Sequence, residues 1–208
     1  MTLDLSTLTD GELASLSLAG REAPFAEIVR RHRSALYRLV LGNVGDPDEA
    51  LDLVQETFVS AHLALRRYDP TRPLRPWLAA IAINKCRDWS RRRAVRRLFS
   101  FVLPMSSAAE NVADDRPGHD VEIADRQELV RLRLAIASLP QTLREPLVLH
   151  AVEGMSQADT AAILSISEKA VETRIRRARA KLGELLGPLP GHCGADLRAG
   201  PKPTSKIR

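Results

Sequence analysis

Apolar residues recur at three- and four-residue spacing along most of the chain, the mark of amphipathic helices. Phe25, Ile28, Val29, His32, Leu36, Leu39 and Val40 form one stripe, with Arg30, Arg31, Arg33 and Arg38 facing outward. Gly42-Asn43-Val44-Gly45 is expected to break that helix. The next begins at once: Asp46 suits an N-cap, Pro47 the first helical position, and Glu49 completes a capping box. Its buried stripe is read as Ala50, Val54, Phe58, Ala61 and Leu65, supported by Leu51 and Leu53. A third helix runs from Pro76 to about Arg97, with Leu78, Ala82, Cys86 and Trp89 along one side and Trp77 and Ile81 beside them.

Shorter signals flank these. Thr9-Asp10-Gly11-Glu12 can open a helix through Leu13, Leu16 and Leu18. Further on, a helix from Val121 to Ser138 carries Ile123, Leu129, Leu132, Leu134 and Ile136, and Leu139-Pro140 stops it. Thr142 to Val152 makes another, with Leu143, Leu147, Val148 and Val152 inward. Then comes GMSQADTAAILSISEKAVETRIRRARAKL. Ser156 and Asp159 make a capping-box pattern, and Ala158, Ala161, Ala162 and Ile163 a small apolar face. Leu164-Ser165-Ile166 has room only for a turn, at which Ser165 stands where glycine would be easier. Ser167 caps a second helix with Val171, Ile175, Ala178 and Leu182 on one face.

Composition narrows the fold class. The chain is 44% hydrophobic but only 4% aromatic, so its core is aliphatic, which favours helices over sheets. The reading is all-α, as two small helical domains on a flexible linker: an N-terminal extension 1–20, a bundle 21–97, a linker 98–121, a helix-turn-helix domain 122–186 and a disordered tail 187–208. Two cysteines, Cys86 and Cys193, with no CxxC, argue against a disulfide scaffold or a zinc module. No apolar run approaches the ~20 residues of a membrane span, and no signal-peptide pattern opens the chain, so a cytoplasmic protein without membrane insertion is expected.

Charge is distributed unevenly along the chain. Net charge is +5, which suits a polyanionic partner. Yet Asp46, Asp48, Glu49, Asp52 and Glu56 succeed one another with no base between. The helix dipole accounts for Asp48 and Glu49 but not for Glu56, so the outer face bearing Asp52, Gln55 and Glu56 is a candidate dock for a basic partner. Tyr68 to Pro76 is a stiff, proline-rich loop. The helix after it ends in Arg91-Arg92-Arg93 and Arg96-Arg97, more than a dipole requires, and suits a nucleic-acid backbone. Lys169, Arg174, Arg176, Arg177, Arg179 and Lys181 crowd the last helix against Glu172 alone. A solvated basic face is the plain alternative; the short turn, small first helix and basic second helix together favour a DNA-reading helix-turn-helix.

Three runs, DPDEALDLVQETFVSAHLAL, YDPTRPLRPWLAAIAINKCRDWSRRR and LPQTLREPLVLHAVEGMSQADTAAILSISEKAVETRIRRARAKL, resemble in order and spacing the extracytoplasmic-function sigma factors, small sigma-seventy proteins reduced to regions two and four. The resemblance covers roughly residues 21–97 and 122–186. It implies a subunit that binds core RNA polymerase, through the largest-subunit clamp helices and the flap, and promoter DNA. It implies polymerase contacts at Asp52, Gln55 and Glu56. Tyr68 to Arg75, including Arg72, would hold a flipped base of the minus-ten element; Tyr68 is equally well explained as a core residue. Asn84, Lys85, Arg87, Asp88 and Arg91 would lie along the strand. Lys169, Glu172, Thr173, Arg174, Arg176 and Arg177 would meet the minus-thirty-five element. Lys169-Ala170 replaces a frequent Gly-Thr, and Arg176 a frequent aromatic or histidine, so the promoter read is this chain's own. An anti-sigma protein masking both domains is expected from the resemblance.

The rival of another class is a helix-turn-helix regulator that never joins polymerase. It leaves the acidic-then-basic helix pair of residues 46–97 without a purpose. An enzyme is disfavoured, because His32, His62, His119, His150 and His192 lack metal-ligand spacing and no nucleophile stands in a recognisable motif. Neither catalytic residues, a metal nor a cofactor is expected.

Overall fold

The computed structural model describes residues 4–100 and 120–187, with side chains placed over 4–97 and 127–187. Most of the linker and nearly all of the tail expected from the sequence lie outside the described residues. What is described is helical, with no strand: α1 (Asp10–Leu18), α2 (Glu22–Val44), α3 (Pro47–Ala64), α4 (Leu74–Ser100), α5 (Asp120–Ser138), α6 (Gln141–Leu147), α7 (Gln157–Leu164) and α8 (Glu168–Leu186).

Helices α1 to α4 form the first bundle. Thr9 and Glu12 make a complete capping box at α1, whose Leu13 and Ala14 are wholly buried. Arg31 does not face outward as its place beside the apolar stripe suggested. Its guanidinium donates to the carbonyls of Leu5, Ser6 and Leu8 at 3.0, 2.9 and 2.7 Å and to Glu27 at 2.8 Å, tying the N-terminal extension to α2. Helix α2 runs through Gly42 and ends at Gly45, which takes the left-handed φ of 78° that glycine adopts without strain. Gly42 serves packing instead, since a Cβ there would lie 3.0 Å from a Val148 methyl.

Asp46 caps α3 as read, accepting from the backbone of Asp48 and Glu49. Glu49 does not close a capping box; its carboxylate accepts from the Trp89 indole at 2.7 Å, joining α3 to α4. Leu53 is buried with the expected stripe, whereas Leu51 is exposed.

The second bundle packs α6 and α7 on α8 around Leu139, Leu147, Ala161, Val171, Ile175 and Ala178. Pro146 stands inside α6 without an N–H, and the chain continues as a π turn over Val148–Val152. The wider turn shifts the phase, so Val152 is exposed and Leu149 is buried. On α7 the buried positions are Thr160, Ala161 and Leu164; of the face read from spacing Ala161 is buried and Ile163 half-buried, while Ala158 and Ala162 are exposed. Leu129, Leu132 and Leu134 of α5 are likewise exposed.

The two bundles meet. Val148, Leu149, Met155 and Leu164 join the same apolar cluster as Leu36, Leu39, Leu78 and Ile83. The two helical domains read from the sequence are both present, and in this structure they share a face.

Candidate nucleic-acid interface

Three charged surfaces are built on this frame. On α3, alternate turns bury Leu53, Val54, Thr57 and Phe58, and so leave Asp52, Gln55 and Glu56 together on the solvent side. Along the neighbouring α4, Asn84, Asp88 and Arg91 are exposed on the side opposite the core. Between the two helices lies an open groove of about 620 Å³ whose α3 wall carries Glu49, Asp52 and Glu56 and whose α4 wall carries Arg91, Arg92 and Arg96. Beside it, Lys85 of α4 lies 3.4 Å from Glu56 of α3, so one predicted strand contact is paired with one predicted polymerase contact. Arg93 lies over the Trp89 ring, 4.9 Å from its centroid, and fixes the basic wall by a cation–π contact.

The loop before α4 is held from within. Asp69 accepts from the Thr71 backbone at 3.0 Å, and the Arg72 N–H donates to the Asp69 carbonyl at 3.0 Å. Hydrogen bonds from the Thr71 hydroxyl and backbone hold the Asp69 carboxyl below the usual aspartate range. Tyr68 is buried, its ring 5.2 Å from Trp77 and its hydroxyl donating to the Arg72 carbonyl. That is the core role of its two sequence readings; no ring face is open to a base here. Burial pushes the Tyr68 phenol up from its ordinary pKa. Arg72, by contrast, projects into solvent near Asp69.

The helix-turn-helix has α7 ending at Ser165, whose φ of 55° and ψ of 46° are left-handed. The Ile166 N–H donates to Ala161 at 3.0 Å and that of Ser165 to Ala162 at 3.3 Å, closing the helix. Ser167 accepts from the Ala170 N–H at 3.2 Å and starts α8. Helix α8 buries Val171, Ile175 and Ala178 and exposes Lys169, Glu172, Arg176 and Arg177; Thr173 and Arg174 are half-buried. The Thr173 hydroxyl donates to the Lys169 carbonyl at 2.9 Å.

Two matches decide the family. Residues 28–96 match the model described as Sigma-70 region 2, and residues 129–182 the one described as Sigma-70, region 4. The RNA polymerase sigma factor CnrH of Cupriavidus metallidurans is 42% identical over 180 residues, covering 85% of this chain and 94% of CnrH. The chain belongs to the sigma-70 family of RNA polymerase sigma factors. The ECF RNA polymerase sigma factor SigM of Mycobacterium tuberculosis is 31% identical over 190 residues, covering 91% of this chain and 90% of SigM. A solved structure of CnrH in complex with the cytosolic domain of CnrY superposes with a TM-score of 0.63 at 37% identity, covering 85% of this chain and 96% of that one. The sigma factor RpoE of Bartonella quintana, crystallised with the anti-sigma factor NepR, gives 0.61 at 26% identity, covering 78% and 96%.

In this sigma factor two residues read as DNA contacts, though still partly open to solvent, reach acids of the second bundle. Arg87 is paired with Glu145, and Arg75 with Glu153. Arg38, which faces outward by periodicity alone, also reaches Glu153. Sequence reasoning passed over Arg38, Glu145 and Glu153. The available signal was weak but real: Glu145 and Glu153 flank apolar Leu147–Leu149, at positions where a lone carboxylate needs a partner.

Proposed function

We propose that this sigma factor docks on core polymerase through the acidic face of α3 and reads a promoter at two places, the minus-ten element with the loop 68–73 and α4, and the minus-thirty-five element with α8. One observation carries the reading. Adjacent helices of one bundle present opposite charges to solvent: α3 shows Asp52 and Glu56, and α4 shows Arg91, Arg92 and Arg96. A DNA-binding module alone has no use for the acids, and a protein-binding module none for the bases. Polymerase performs the chemistry, and the sigma factor acts without an active site, in the cytoplasm. Among the described residues no helix is long and apolar enough to cross a membrane.

On α8, exposed Arg176 and Arg177 are placed to bind guanine or phosphate, and Glu172 to accept from a cytosine amino group. Each contact set is small, so useful affinity requires both held on one enzyme, where the second binds at high effective concentration. The solved relatives were crystallised with the cytosolic domain of CnrY and with NepR, and an anti-sigma protein of that kind is the regulator we propose for this chain. Glu56→Arg tests the reading. It should weaken assembly with core polymerase, followed by gel filtration and run-off transcription, while leaving the helical circular dichroism unchanged. Undiminished assembly would remove α3 from the docking role.

A further inference from the structure

Glu153 lies just past the π turn, with a side chain only 1% exposed, and two arginines from separate helices close on it. Arg38 of α2 donates from Nε to Oε1 at 3.1 Å and from Nη2 to Oε2 at 3.3 Å. Arg75, in the first turn of α4, donates from Nη2 to Oε2 at 2.8 Å and to the Glu153 backbone carbonyl at 2.5 Å. Neither arginine pairs with another acid among the described residues. Two cations on one anion leave an excess positive charge on the first bundle, which the second bundle only half neutralises.

We propose that Arg38 and Arg75 form a binding site for a phosphate of the non-template promoter strand, and that Glu153 occupies this site in the compact form. A phosphodiester offers two anionic oxygens much as a carboxylate does, and guanidinium forks bind either. Arg75 lies in the first turn of α4, where the helix dipole also favours an anion. Arg75 follows directly on the loop assigned to the minus-ten strand, so a strand seated there brings its backbone to the start of α4. The inference rests on that assignment. With Glu153 in place its carboxylate oxygens take the Nε and Nη2 donors of Arg38 and the Nη2 donor of Arg75, and the space beside them, bounded by Arg75, Leu78, Glu153 and Met155, is about 10 Å³, enough for about one water, so a phosphate takes those donors only by displacing the carboxylate. Strand binding and the closed seam between bundles therefore exclude each other. When the second bundle leaves, both arginines remain on α2 and α4.

The test uses the full chain and a short fluorescein-labelled single-stranded DNA of random sequence, with binding followed by anisotropy across a salt series. Glu153→Gln keeps the shape of the side chain and removes its charge. It should raise affinity by about tenfold over the unmodified chain. Adding Arg38→Gln should remove most of that gain and lower the salt slope by about 0.7, the value for one phosphate on a single strand. Equal binding by the single and double variants would overturn the phosphate site, and Glu153→Gln binding no better than the unmodified chain would overturn the occupancy by Glu153. Arg38 is largely exposed, so Arg38→Gln alone also serves should Glu153→Gln not fold. Assembled with core polymerase, it must weaken a promoter complex and reduce its salt dependence, and an unchanged complex overturns the site. Arg91→Ala separates this proposal from the reading beneath it. If Arg91→Ala weakens binding and Arg38→Gln does not, only the new site falls; if neither does, α4 is not the strand reader.

Discussion

Arg87 of α4 and Glu145 of α6 meet through two parallel hydrogen bonds, Nε to Oε1 at 2.8 Å and Nη2 to Oε2 at 2.6 Å. The bond spans the seam between the two bundles. Glu145 is buried, and its only other side-chain partner among the described residues is Gln141 at 2.8 Å. Removing the arginine leaves a buried carboxylate short of charge compensation, a change that costs about 3–5 kcal/mol in a dry interior. A third of the Arg87 side chain is open to solvent, which screens the pair. Arg87→Ala should therefore destabilise the closed protein by about 1–3 kcal/mol in urea unfolding at neutral pH. Arg87→Lys should recover only part of this, because an ammonium cannot make the two-pronged contact. If Arg87→Ala unfolds with the same midpoint and slope as the unmodified chain, the seam does not contribute to stability in solution.

A second ionic cluster gives a pH dependence. Hydrogen bonds from Arg30 and then Arg31 hold the Glu27 carboxyl down at about 2, against an ordinary 4.5. A carboxylate with a depressed folded pKa contributes stability that is fully present above its unfolded pKa and lost as pH falls through the folded one. The unmodified protein should thus exceed Glu27→Gln in Tm by a constant margin from neutral pH down to about 5, and the margin should close between about 4.5 and 2. Because Arg31 also grips Leu5, Ser6 and Leu8, the first amides to lose hydrogen-exchange protection in that window should be those before α2. A margin that does not change with pH would mean that Glu27 acts by packing and not by charge.

The helices were legible because each carries its own signal. Asp46-Pro47 begins α3 and Ser167 begins α8 through local bonds that need nothing from the rest of the chain. The buried faces of α4 and α8 follow from a repeat that one bundle satisfies. What the spacing could not show is where a second bundle would cover an otherwise exposed charge. Arg38 looks outward by periodicity and Arg75 reads as the end of the loop before α4; they become partners only because Glu153 arrives from 78 residues beyond Arg75. Val152 was misplaced for a different reason. The π turn inserts an extra residue into the repeat, so a phase carried from Leu143 and Leu147 fails just where the turn begins. Of the residues read as sites, Asp52, Gln55, Glu56, Asn84, Asp88, Arg91, Lys169, Glu172, Arg176 and Arg177 are exposed. Tyr68 is in the core, and Lys85, Arg75 and Arg87 are engaged by acids.

Cys86 sits near the same seam. Burial first, and the nearby Glu145 charge second, push its thiol up to about 12. Only the thiolate reacts readily, so native Cys86 should resist a disulfide reagent at pH 8, while the unfolded chain in urea reacts at the rate of a free cysteine. The measurement is made in Cys193→Ser, which leaves one thiol. The thiol's raised pKa also has a stability consequence of opposite sign to that of Glu27. The folded state holds the proton more tightly, so the contribution is complete below the unfolded pKa near 9 and is lost as pH rises toward 12. Rapid labelling of the folded protein at pH 8 would show that the α4 core opens far more often than its packing implies.

Ser165 offers a stabilising change at the turn of the DNA-reading unit. Its φ of 55° is left-handed, and among the described residues it is the one non-glycine with positive φ. A side chain in that region costs about 1–2 kcal/mol, since Cβ crowds the following carbonyl. Glycine escapes that strain but has more freedom to lose from the unfolded chain, which returns about 0.5–1 kcal/mol. The Ser165 side chain is exposed and makes no hydrogen bond among the described contacts that a glycine would forfeit. Relief of strain is therefore the larger effect, and Ser165→Gly should raise unfolding stability by about 0.5–1 kcal/mol. The gain should appear as slower amide exchange in α7 and the start of α8, without change at α1 to α3. A neutral or negative outcome would mean that the turn between α7 and α8 is less tightly left-handed in solution than the bonds from Ser165 and Ile166 to α7 require.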